Sequence, residues 1–141
     1  MTIETAFYSY ASTKPSITAL VGTRIYASAP PSDVVYPYVT FQVISNNPEH
    51  YMQGASGITR VNLQVDAWAR LVQEQQDISE AFRNALDGFK ALMGTELLDI
   101  RNCFLDNRNT FEELDKLGKN LPVHRASLDF LIWHAESVPT L

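Results

Sequence analysis

Along three stretches of the chain, apolar and polar residues alternate with a period of two: 36–44 (YPYVTFQVI), 59–69 (TRVNLQVDAWA) and 123–134 (VHRASLDFLIWH). Successive side chains of a strand point to opposite faces, so this rhythm predicts three strands. In 59–69 the alternation is strict. Val61, Leu63, Val65 and Ala67 go inward and Arg60, Asn62, Gln64 and Asp66 outward, the pattern of a sheet with one packed and one polar face. In 36–44, Val39, Phe41 and Val43 share one side, and Tyr38, Thr40, Gln42 and Ile44 share the other. Between the second and third strands the period changes to that of a helix over 71–89. There Ile78, Ala81, Phe82, Ala85, Leu86 and Phe89 form one apolar stripe, which predicts a helix lying on the apolar face of the sheet.

The remaining segments complete the outline. Phe7, Tyr10 and Ala11 fall on one side at helical spacing, Pro15 interrupts them, and Gly22 closes a second short run. A bent or split helix over 3–21 follows, since proline suits a first helical turn and glycine a helix end. Residues 23–26 read as a short strand, Pro30 and Pro31 as a loop or edge, and 97–106 as a further strand. The turn formers of 46–57 suggest the extended tip of an antiparallel hairpin. The polar connection 107–122 has a length usual for functional or mobile loops, and the tail 135–141 looks loose. The expectation is one α+β domain over 1–141, with an antiparallel or mixed sheet, helices packed on one face and a long protruding β-hairpin.

Composition narrows the function class. The chain has 141 residues, 45% hydrophobic and 19% charged, and a formal net charge of −5, an ordinary globular balance. The acidic balance argues against a nucleic-acid surface as the main partner. Cys103 is the single cysteine, so no intrachain disulfide is possible, and a buried apolar role is expected for it. No transmembrane run is present, and the first ten residues lack the basic start and apolar block of a secretory signal. A protein made and used, or assembled, inside a cell is expected.

Candidate chemistry is sparse. His50, His124 and His134 are the only histidines, none at metal-ligand spacing with another or with the cysteine. His124 and His134 would share a sheet face but stand about 33 Å apart at the rise of a strand. No nucleophile elbow and no phosphate-cradling glycine loop occurs, and Glu112, Glu113 and Asp115 lack the spacing of a calcium loop. No enzyme, no cofactor and no metal site is expected. Tyr36, Tyr38 and Phe41 could stack bases, but the basic lining such a site needs is missing, so core and edge roles are expected. Phe111, Leu114 and Leu117 stand out as apolar residues inside a charged segment, where exposure is unfavourable unless something covers them. Either they fold back on their own domain or they dock on a neighbouring subunit.

Taken in order, LVGTRIY (20–26), YPYVTFQVIS (36–45), RVNLQVDAWA (60–69), ISEAFRNAL (78–86) and HRASLDFLIWH (124–134) resemble the tail-completion or tail-terminator proteins of long-tailed bacteriophages and prophage-like elements. The resemblance implies a structural virion protein without catalytic residues. Such proteins form a ring, typically a hexamer, that caps the tail tube and joins it to the head connector. Implied partners are therefore copies of itself, the tail tube protein and a head-completion or stopper protein. DNA would pass through the channel without specific binding, no membrane would be involved, and the place would be the head–tail junction of a virion assembled in the host cytoplasm. Segments 46–57 and 107–122 would serve as interaction arms, with Arg108, Phe111, Glu112, Leu114, Asp115, Lys116 and Lys119 as candidate interface residues. Two other readings stand beside this one: another connector component such as a stopper ring, and a small non-catalytic bacterial binding domain.

Overall fold

A computed structural model describes residues 3–52, 54–95, 97–114 and 122–136. The chain runs α1 (Ile3–Thr13), α2 (Pro15–Val21), β1 (Ile25–Ala27), β2 (Tyr38–Tyr51), β3 (Gly54–Ala69), α3 (Val72–Leu86), β4 (Leu92–Met93), β5 (Leu98–Leu114) and β6 (Pro122–Ala135). Pro15 divides the N-terminal helix where the sequence suggests, and it opens α2 without an N–H to lose. The strands form one mixed sheet in the order β1-β2-β3-β6-β5-β4. Among the described residues only β1 runs parallel to its neighbour; all the other pairs are antiparallel.

The strict alternation of β3 sets the layering. Val61, Leu63, Val65 and Ala67 stand opposite Ile132, Phe130, Leu128 and Ala126 of β6, and all eight are buried. Val39 and Phe41 of β2 and Cys103 of β5 extend this apolar face, and Phe7, Ile17, Val21, Ile78, Phe82 and Leu86 close over it from the three helices. At the centre Phe7 bridges two layers, with its ring 4.9 Å from that of Phe41 in an edge-on contact and 6.1 Å from that of Phe82. The hydroxyl of Tyr10 donates to the carbonyl of Ala85 at 2.9 Å, pinning α1 to the end of α3. Gly94 lies under α1 with a φ of +72°, and a Cβ there would sit 2.7 Å from the Ala6 carbonyl oxygen. Only glycine meets both conditions without strain.

Two segments differ from the sequence expectation. Within 46–57 the strands run further than the turn formers suggest: β2 continues to Tyr51 and β3 starts at Gly54, with pairing kept from Tyr38↔Trp68 to Tyr51↔Gly54 across two irregularities. Asparagine and proline lower strand propensity, but a long partner strand supplies a ladder along one edge of the segment and overrides the local preference. Likewise 107–114 is not a connection. β5 runs on to Leu114, paired with β6 down to Leu114↔Pro122, because β6 offers a full ladder on that side. Asp115 to Leu121 fall outside the described residues, as does the tail from Ser137. α3 ends at Leu86 rather than near 89, since Gly88 at φ +84° turns the chain back and donates its N–H to the Cys103 carbonyl at 2.7 Å.

Candidate functional site

The helices lie on one face of the sheet, and the opposite face carries side chains that a simple outer surface would not need. Its hub is Arg125 of β6. Nη1 of Arg125 donates to Glu113 at 3.0 Å, and its Nε lies 3.7 Å from Asp66. The guanidinium also stands 5.1 Å from the Trp68 ring centre and 5.0 Å from that of Phe111. A planar cation can stack on rings while its edge meets carboxylates, which suits arginine better than lysine. Register explains the meeting: Trp68 stands opposite Arg125 on β3, and Phe111 opposite it on β5. Asp66 is buried and takes a further bond from Gln64 Nε2 at 3.1 Å, while the same amide donates to Ser127 Oγ at 3.0 Å.

Beside the hub an aromatic row continues toward β1. The Trp68 and Tyr38 rings stack at 5.8 Å and 10°, and Tyr36 leans on Tyr38 at 5.1 Å. Trp68 Nε1 donates to the Thr40 hydroxyl at 3.1 Å, and the Arg70 guanidinium covers Tyr36 at 4.2 Å. With Pro30, Pro31 and Val34 these rings wall a cleft of about 340 Å³ whose floor includes Asp66 and Glu113. Tyr36 and Tyr38 thus serve this second face, and Phe41 serves the core.

The same face is acidic toward its middle. Burial raises the Asp129 pKa above the ordinary carboxylate range, and the charges of Asp106 and Asp66 add to that. A carboxyl raised in the folded state weighs against folding once ionised. That cost is present at neutral pH, fades as pH falls through the raised value, and is gone below the unfolded one. The variant Asp129→Asn is therefore expected to melt at a higher temperature than the parent at pH 7. The gap should close as pH falls below about 4, which thermal denaturation at a series of pH values will read.

The candidate interface residues of the sequence reading divide into three groups. Arg108 and Glu112 lie on β5 with Thr110 on the helix side, where Arg108 donates to Glu80 of α3 at 2.7 Å. That hydrogen bond is the main cause of the lowered Glu80 pKa, against a smaller opposing effect of desolvation. Phe111 lies on the helix-free face beside Arg125 and is 44% exposed. Leu114 ends β5, while Asp115, Lys116 and Lys119 are outside the described residues. The strand thus separates Arg108 and Glu112 from Phe111 by the thickness of the sheet, where a loop could have gathered them.

Sequence reasoning missed the Arg125 hub. A signal was present, since alternation in 123–134 places Arg125 on the outward side next to Ser127 and Asp129, but its partners come from strands distant in sequence. Cys103 is buried as expected, and burial pushes its thiol up to about 12. Among the described residues no group of three or more His, Cys, Asp or Glu side chains is placed to hold a metal ion. No helix among them is long and apolar enough to cross a membrane.

Comparison with known proteins gives a family and a fold. The profile of the family described as tail completion protein gp17 matches residues 5–135. Among solved structures, one chain from the virion of a native gene transfer agent particle superposes with a TM-score of 0.71 at 16% identity, covering 94% of both chains. At that identity the likeness concerns the fold. No curated protein sequence matches the chain.

Proposed function

The chain belongs to the tail completion protein gp17 family, and from that premise we propose that it acts as a structural ring at the end of a phage tail. Six copies, in this reading, cap the finished tail tube and join it to the head connector, with no chemical step. The observation that carries the proposal is the family match across 5–135, which takes in nearly all the secondary structure. The surface supports it: Phe104 and Phe111 of β5 are 45% and 44% exposed, on a strand that lies near the margin of the sheet. Large apolar rings at such a margin suit contact with another protein surface.

Ring formation needs a head-to-tail contact that closes after a fixed number of copies. Arg108, Phe111, Glu112 and Leu114 on β5, continued by Asp115, Lys116 and Lys119, supply one side of it. Apolar burial of Phe111 gives affinity, and the charges give orientation. The net charge of −5 per copy suits a channel that lets DNA pass without adhering, because like charges repel the duplex.

Light scattering on the purified protein, with electron microscopy of particles that contain it, tests the reading. A discrete ring in solution or at the head–tail junction is expected. A monomer that is absent from assembled particles would overturn it. Phe111→Ser is expected to weaken ring assembly by about tenfold or more, the loss of one buried ring side chain, while the melting midpoint moves little. Arg108→Ala should likewise spare stability, because its ion pair with Glu80 is exposed on both sides.

A further inference from the structure

The sheet ends in two unequal margins, and each leaves a long run of backbone without a partner among the described residues. On one side, β1 covers β2 only from Val39 to Phe41, with the Ser28 N–H added to the Phe41 carbonyl at 2.8 Å. From Val43 onward the outer edge of β2 is open. On the other side, β4 pairs with β5 only at Leu98 and Asp99. The segment after α3 caps a little more: the Gly88 N–H donates to the Cys103 carbonyl, the Ile100 N–H to the Ala91 carbonyl and the Leu105 N–H to Asp87 Oδ1. Beyond Leu105 no described group pairs with the outer edge of β5.

Alternation along the ladder identifies the open groups. In an antiparallel pair, every second residue exchanges both hydrogen bonds with its partner and the residues between turn theirs away. Cys103 and Leu105 turn theirs away from β6, as their outer partners show. After the irregularity between Leu105 and Asn107, the outward residues become Arg108, Thr110 and Glu112. On β2 the same count, shifted by the irregularity between Val43 and Ser45, turns Val43, Asn46 and Pro48 outward. Pro48 then stands where its missing N–H breaks no bond of its own sheet, and where it limits how far another strand can zip along that edge. β5 carries no proline between Leu98 and Leu114.

Strand direction makes the two margins complementary. From β2 to β3 to β6 to β5 the chain direction reverses three times, so β5 runs opposite to β2. Copies related by rotation about an axis along the strands would therefore meet with β5 of one antiparallel to β2 of the next. Self-pairing of two β5 edges would close as a dimer and leave both β2 edges open. A head-to-tail arrangement satisfies both margins in every copy with a single repeated contact.

We infer that the outer edge of β5, from Arg108 to Glu112, receives the outer edge of β2, from Val43 to Asn47, of a neighbouring copy, so that one antiparallel sheet runs on from subunit to subunit. This rests on the ring reading and gives its interface a backbone mechanism. Strand addition draws affinity from main-chain hydrogen bonds and specificity from the side chains on either face. On the helix side the incoming strand would meet the groove formed by Gln76, Ser79, Glu80, Arg108 and Thr110. On the other face it would meet Phe111.

Cross-linking tests the inference. Asn47 and Asn109 are exposed and stand opposite Arg60 and Ser127, on the helix-free face. The double variant Asn47→Cys/Asn109→Cys, treated with a short bismaleimide, should give a ladder of covalent species ending at the ring, both in solution rings and in assembled particles. The two single variants mixed should give only dimers, and each alone nothing. The native Cys103 is buried and will not compete. Thr110→Pro, which removes one outward N–H and spares the ladder to β6, should lower ring affinity about tenfold with little change in melting. Covalent dimers from Asn109→Cys alone would show β5 self-pairing and overturn the inference, as would cross-links to a different polypeptide. Rings seen by microscopy without the ladder would overturn strand addition while leaving the ring standing. Absence of rings both in solution and in particles would remove both.

Discussion

Replacing Phe82 by alanine is expected to lower folding stability by about 3–5 kcal/mol, the range for a fully buried aromatic side chain. Phe82 has no solvent exposure and stacks near-parallel on Phe7, which in turn meets Phe41 edge-on. These three rings come from α3, α1 and β2, so the substitution opens a void where three elements converge. The helix propensity of alanine is better than that of phenylalanine, which offsets only a few tenths of a kcal/mol. In urea the midpoint should fall with the slope unchanged, the mark of a stability effect without loss of cooperativity. The thermal midpoint should drop by roughly 10 °C for a chain of this size. Phe82→Leu should recover more than half of the loss, because most of the volume is restored. A loss below about 1 kcal/mol for Phe82→Ala would mean that the three rings do not form the centre of the core.

That core was legible from the sequence because it is periodic. The inward set Val61, Leu63, Val65 and Ala67 and the stripe Ile78, Phe82, Ala85 and Leu86 are both buried where the two periods place them. Burial by a two-residue or a 3.6-residue rhythm is a local property of the chain. The extent of β2 and β5 was not legible. Asn46, Asn47, Pro48 and the polar run from Asn107 to Glu113 have the composition of connections, and only the presence of a facing strand makes them sheet. For the same reason Arg108, Phe111 and Glu112 could be singled out by residue type but not distributed between two faces. The candidate set is thus partly a composition signal, and the faces it occupies are a tertiary fact.

The Arg125 hub was hidden for a related reason, and it carries the second large expectation. Arg125→Met keeps most of the side-chain volume and the apolar contact with Trp68 and Phe111 but removes the charge. Asp66, whose side chain is only 10% exposed, would then stand among Trp68, Thr40 and Glu113 without its cation. Breaking a mostly buried pair from one side is much more costly than the pair is worth, because a desolvated charge is left behind. The Arg125 side chain is itself 23% exposed, which lets water relieve part of the penalty. A loss of about 2–3 kcal/mol at pH 7 is expected, below the range for fully buried pairs. Adding Asp66→Asn should return most of it, since the amide oxygen can still accept from Gln64 Nε2 without needing a counter-charge. The cycle of both single variants and the double would then give a coupling of about 1–3 kcal/mol. A double variant no more stable than Arg125→Met would instead assign the loss to the stacked rings, and the hub would be a packing site in which the carboxylates are bystanders.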